Sequence, residues 1–173
     1  MTVPVFARYW RDSGHWSAAP VWLKCKAIGL TGLPGDAAMK IDGACHCGLI
    51  AYEAEADPET TGICHCTDCQ TLSGSAFRTV VASRRGSFKL RSGEPKIYVK
   101  TAESGTKRQQ GFCPNCGTPI YSTTVEDGPK VHTIRVGTLH QRNELVPKLQ
   151  YWFRSAQHWT NDLGSIPKTE KQR

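Results

Sequence analysis

Cysteine is the residue type through which this sequence declares its chemistry. Eight cysteines occur in 173 residues, and seven fall into three short clusters. The first is Cys45-His46-Cys47-Gly48, the second Cys64-His65-Cys66-Thr67-Asp68-Cys69, and the third Cys113-Pro114-Asn115-Cys116-Gly117. Disulfide bonding is a poor reading of them. A C-x-C pair on a strand holds its Cα atoms about 7 Å apart, beyond comfortable disulfide reach. The spacing suits metal ligation instead. A C-x-x-C turn sets two thiolates on one ion, and Gly117 allows the left-handed backbone such a turn needs after its second cysteine. Two pairs from distant positions complete a tetrahedral four-sulfur zinc site. Pairing Cys45 and Cys47 with Cys113 and Cys116 leaves Cys64, Cys66 and Cys69 as three thiolates from one turn. Zinc held by three thiolates keeps a fourth position open, the mark of a catalytic site. A fourth side chain, His46, His65 or another, would close that site and make it structural. An all-sulfur zinc is a weak Lewis acid toward water, but it binds soft sulfur and holds it deprotonated. The chemistry that follows is addition of a small thiol to an electrophile, or the reverse.

The elements that position these clusters read as short strands. Residues 49–54, 76–82, 87–90, 97–101, 107–112, 120–125, 131–136 and 149–153 carry the β-branched, aromatic or alternating pattern of strands, with a turn at Ser92-Gly93-Glu94-Pro95. Helix is expected only as one short turn after Cys66. The fold class is therefore mainly β. Residues 1–38 differ in character, with Trp10, Trp16 and Trp22, no clear periodicity and several turn formers. They are expected to be an extension, disordered or upstream of the true start. A domain is expected over residues 39–166, and a charged tail over 167–173. Cys25 lies in the extension and stands outside the clusters.

Charge and hydropathy narrow the function class. The net charge is +7, yet Arg84, Arg85, Lys89, Arg91, Lys96, Lys100, Lys107 and Arg108 are spread along the chain. No RNA-binding or helix-turn-helix signature accompanies them, so nucleic acid is not an expected partner. Arg78, Lys107 and Arg108 flank the cysteine clusters and are candidates to meet a substrate carboxylate. No apolar run reaches the roughly 18 residues of a membrane span, and the best, Ala18 to Leu33, is broken by Lys24 and Lys26. A cytoplasmic protein is expected. The aromatic stripe Tyr151-Trp152-Phe153 reads as core, or as a surface that could pair in a homodimer.

The clusters and their flanks resemble the glutathione-dependent formaldehyde-activating enzyme family. The matching stretches are Gly43–Gly48, Cys64–Cys69 with Ser73-Gly74, Phe112–Gly117, Val136-Gly137-Thr138-Leu139, Pro147, Trp152 and Trp159. The resemblance implies a β-tent fold of small twisted antiparallel sheets organised around two zinc ions. It implies a structural zinc on Cys45, Cys47, Cys113 and Cys116, and a catalytic one on Cys64, Cys66 and Cys69. The implied activity is a carbon–sulfur lyase reaction joining glutathione and formaldehyde. Two places depart from the family pattern: Gln70 and Thr71 stand where basic residues are common, and His140 and Gln141 where an aspartate is. The domain also resembles the zinc module of centromere protein V, which implies the alternative of a non-catalytic module binding nucleic acid or protein.

Overall fold

The structure, a computed structural model, describes residues 38–172. The N-terminal extension and Cys25 lie outside the described residues. The fold is mainly β. A three-stranded antiparallel sheet contains β1 (Met39–Ala44), β2 (Ala51–Ala56) and β5 (Lys89–Ser92), in the order β1-β2-β5. A seven-stranded sheet contains β3 (Gly62–Cys64), β4 (Arg78–Ala82), β6 (Lys96–Thr101), β7 (Lys107–Phe112), β8 (Pro119–Thr124), β9 (Thr133–Arg135) and β10 (Leu149–Tyr151), in the order β10-β3-β4-β9-β8-β7-β6. Its pairings are antiparallel except β10 with β3, which run parallel.

The period-2 pattern decides which side of each strand is covered. In β2, Tyr52, Ala54 and Ala56 point inward while Glu53 and Glu55 point to solvent. From the larger sheet, Val81, Ile134 and Tyr121 face the same core, each opposite the next across β4, β9 and β8. Phe88 links the two layers, stacked on Tyr52 at 5.2 Å and edge-on to Tyr121 at 5.0 Å. Close approach explains Gly43: a Cβ there would collide with the Thr138 carbonyl oxygen and the Tyr52 ring. That contact lets Tyr52 reach the Thr138 hydroxyl at 2.5 Å and lets Gly43 bridge to Leu139, tying β1 to the segment after β9.

One helix, α1 (Thr67–Ser73), follows Cys66 as expected and ends at Gly74 in the left-handed region, φ 62°. Short 3-10 turns that the sequence did not suggest occur at Pro58–Thr60, Val136–Thr138, Phe153–Ser155 and His158–Ser165. The expected last strand over 149–153 stops at Tyr151, because Trp152 takes a left-handed backbone, φ 56°. Tyr151, Trp152 and Phe153 are all exposed, so the stripe is surface and not core. No helix among the described residues is long and apolar enough to cross a membrane.

Candidate functional site

The first and third cysteine clusters converge. Cys45 follows β1 and Cys47 sits in the turn into β2. Cys113 and Cys116 form the turn between β7 and β8. The four sulfurs lie within 4.8 Å of one another. Cys45 and Cys47 are 3.5 Å apart and Cys47 and Cys113 3.8 Å. A disulfide would need about 2.05 Å. A tetrahedron of sulfurs about 2.3 Å from zinc has edges of about 3.8 Å, so the arrangement fits a metal ion. The turn geometry follows the sequence: Gly117 has φ 72° and donates its N–H to the Cys113 carbonyl at 2.9 Å. Further donors aim at sulfur, with the Ile50 N–H 3.2 Å from Cys45 and the Thr118 hydroxyl 3.1 Å from Cys116. The Thr118 contact holds the Cys116 thiol down to about 5, and the Asn115 side chain holds Cys47 below its ordinary value. Burial pushes Cys113 up to about 11, the proton a bound cation would displace.

The middle cluster is a second, separate group. Cys64 ends β3, Cys66 caps α1, and Cys69 lies in the first helical turn. Their sulfurs also lie within 4.8 Å, with Cys64 and Cys66 3.5 Å apart. The Cys66 sulfur accepts the Cys69 N–H at 3.4 Å, so the thiol that would bind metal is also the helix cap. Crowding drives the protons apart. The hydrogen bond from Cys64 holds Cys66 down to about 2, and the same contact pushes Cys64 up. Among the described residues no histidine or carboxylate joins the group. His65 is buried and turns away, its Nε2 2.8 Å from Gln150 and its ring edge-on to Phe77 and Phe153. His46 is exposed, with its backbone N–H on Thr118. Asp68 pairs with Lys100. The cluster therefore offers three sulfur donors and fits a soft metal with one position left over.

Beside the cluster is a cavity of about 440 Å³ whose lining includes Cys64 and Cys69. Strand register explains its wall. Cys64 is opposite Arg78 on β4, and Val80 opposite Arg135 on β9. Thr133 is opposite Ser122, Ser122 opposite Gln110, and Arg108 opposite Lys100. All of these line the cavity, so it covers one face of the seven-stranded sheet while Val81, Ile134 and Tyr121 bury the other. Arg78 and Arg135 are buried in it. Arg135 donates to Gln110 Oε1 at 2.7 Å, and its guanidinium is pulled down to about 9, by burial first and then by the charge of Arg78. An apolar cavity of about 420 Å³ adjoins through Leu72, Arg78 and Gln110. A larger concavity, about 1050 Å³, lies over the three-stranded sheet, where Glu53 pairs with Arg91 and Glu55 with Arg84.

Of the cations the sequence suggested, Arg78 and Arg108 line the site and Lys107 does not. Arg135 and Lys100 were missed. The signal for Arg135 was a charged residue between Ile134 and Val136 in the strand expected over 131–136. The two departures from the family pattern have local roles. Gln70 donates to the carbonyls of His65 and Ser155 at 2.7 and 2.8 Å, tying α1 to the C-terminal segment. His140 and Gln141 both bond Asp42, at 2.6 and 2.7 Å.

A mainly β chain that gathers four thiols at one point and three beside a basic cavity has the donor sets of a metal–thiolate protein. The sequence signature of the glutathione-dependent formaldehyde-activating enzyme family matches residues 40–155, and the chain belongs to that family. Comparison with curated proteins finds no match. Among solved structures, a crystal structure of a Rhodobacter sphaeroides protein, a structural genomics target, is 18% identical with a TM-score of 0.48, covering 63% of this chain and 98% of that one.

Proposed function

We propose that the protein is a zinc-dependent enzyme of the carbon–sulfur lyase type, adding a small thiol of the glutathione class to an aldehyde such as formaldehyde, or catalysing the reverse. The observation that carries this reading is the three-thiol cluster at the wall of a cavity, with no fourth side chain among the described residues to close it. A non-catalytic module would have that position filled beneath a flat basic surface. In this reading Cys45, Cys47, Cys113 and Cys116 hold a structural zinc, and Cys64, Cys66 and Cys69 a catalytic one. Bound at the second cluster, zinc supplies a soft Lewis-acid seat on which an incoming thiol stays deprotonated at neutral pH. The chain's own residues do the rest. Arg78, directly across from Cys64, offsets the negative charge of the thiolates. Arg108 draws an anionic thiol by charge-assisted contacts. The adjoining apolar cavity gives the body of the thiol room beside Leu72. Seven unpaired thiols among the described residues suit a reducing, cytoplasmic setting.

The test is metal analysis of the purified protein together with an assay of glutathione addition to formaldehyde. The expected result is two zinc ions per chain and an activity that Cys66→Ser abolishes. A stoichiometry of one zinc, or full activity in Cys66→Ser, would refute the proposal.

A further inference from the structure

The cavity beside the middle cluster carries more positive charge than the protein's own side chains balance. Arg78, Arg108, Arg135 and Lys100 line it, against Asp68 as the one carboxylate among the described residues. A divalent ion held by three thiolates carries a net charge of about −1. Asp68 and such a cluster balance two of the four cations, and the other two are left for charge that a substrate brings.

The two innermost cations are built into the wall. Arg78 is 6% exposed and Arg135 7% exposed. Arg78 Nη2 and Arg135 Nε are buried without a hydrogen-bond acceptor. A buried donor without an acceptor keeps its full desolvation cost. Water could satisfy these N–H groups but not their charge, which calls for an anion. Arg84 and Arg91, in the concavity over the three-stranded sheet, each have a glutamate instead.

Register fixes where such an anion sits. Arg78 is the cross-strand partner of Cys64, and residues so paired have Cβ atoms about 4.5–5.5 Å apart on one face. Arg135 follows on the next strand, opposite Val80. A carboxylate held by both guanidiniums therefore lies beside the three-thiol cluster, where the substrate sulfur would be held. In a tripeptide thiol the carboxylates are many bonds from sulfur. In a 2-oxo acid the carboxylate is bonded to the electrophilic carbon itself. The cavity, about 440 Å³, is also far larger than formaldehyde fills.

We infer that Arg78 and Arg135 form a carboxylate seat for the electrophile, and that the preferred electrophile is a 2-oxo acid in place of formaldehyde. The inference rests on the thiol-addition reading above. The step balances without oxidant or reductant. The thiol gives up its proton, and its sulfur forms the C–S bond as the C=O π bond breaks. The carbonyl oxygen takes a proton, leaving a carboxylated hemithioacetal. The guanidiniums hold the carboxylate and make no covalent contribution.

Exchange NMR on the zinc-containing protein tests this, reading how fast glutathione interconverts with the hemithioacetal of glyoxylate or of formaldehyde. Acceleration is expected to be at least tenfold greater for glyoxylate. Arg78→Gln and Arg135→Gln should each cut that selectivity ratio tenfold or more. Oxamate, an unreactive analogue, should inhibit the wild-type protein where neutral acetamide does not, and this decides the matter if the variants do not fold. Faster exchange with formaldehyde would overturn the inference and leave thiol addition standing. So would unchanged selectivity in both folded variants, or an absence of inhibition by oxamate. If selectivity is lost on replacing glutathione with cysteamine, the seat belongs to the thiol's carboxylate and the inference fails. No acceleration with either aldehyde would instead remove the thiol-addition reading, and the inference with it.

Discussion

Cys113→Ser and Cys66→Ser remove chemically identical ligands, yet they should have unequal effects on stability. Cys113 is fully buried and its cluster clips the β1–β2 turn to the β7–β8 turn. Cys47 and Cys113 are 66 residues apart. Treated as a cross-link closing a loop of that length, the clip is worth about 4 kcal/mol of unfolded-state entropy. That is a large share of the roughly 5–15 kcal/mol that holds a domain together. Cys66 belongs to a cluster that spans only Cys64 to Cys69. The short turn is already fixed by β3 pairing and by the helix cap. Serine is itself a favoured N-cap, so Cys66→Ser keeps an acceptor for the Cys69 N–H. Thermal unfolding should show Cys113→Ser melting about 10–20 °C below the wild type. Cys66→Ser should stay within a few degrees of it while losing the aldehyde assay. Equal melting temperatures for the two variants would refute the division into a structural and a catalytic cluster.

A chelator should remove one zinc ion well before the other, because the three-thiol cluster lines a cavity and the four-thiol cluster includes buried Cys45 and Cys113; metal release followed against circular dichroism should show the first loss without unfolding. Gly43→Ala should destabilise by about 1–3 kcal/mol in urea titration, since the added methyl meets the Thr138 carbonyl oxygen and the Tyr52 ring. Burial among Phe88 and Tyr121 holds His132 down to about 4, below its ordinary 6.5. The unfolded chain therefore takes up the proton first, so stability should fall as pH drops from 6.5 toward 4 and level off below, by up to about 1.4 kcal/mol per pH unit before solvent screening trims it. His132→Phe should remove that slope relative to the wild type, and parallel stability curves would refute it.

The seven clustered cysteines were legible in the sequence because ligand chemistry fixes both residue type and spacing. Their division into four and three follows from which pairs the strands can bring together, and the sulfurs group in that way. The strands were legible where one face is buried, as in β2. They blurred at the C-terminal end, where β10 is exposed and Trp152 turns the chain by a backbone conformation no pattern announces. The basic cavity was only half legible. Arg78 and Arg108 stood near cysteines in the chain, but Arg135 and Lys100 reach the site through sheet register, which pairs residues distant in sequence. A period-2 pattern says which residues share a face; it does not say whether that face meets water or a second layer of chemistry.

The seven-stranded sheet thus gives its two faces opposite tasks, and each limits the other. Val81, Ile134 and Tyr121 must pack against the small sheet for β4, β9 and β8 to hold register. Register in turn sets Arg78 across from Cys64 and Arg135 across from Val80. Thiolates on one strand and guanidiniums on the next lessen each other's cost of burial, because opposite charges in a low-dielectric site favour both charged forms. The compensation is incomplete: Asp68 answers Lys100, a metal-bound cluster would answer one arginine, and the remaining guanidiniums would be left for charge that a ligand brings. A core mutation that slips β9 by one residue would turn Arg135 into the apolar layer and Ile134 into the cavity. The packing of one face is therefore a direct determinant of the chemistry on the other.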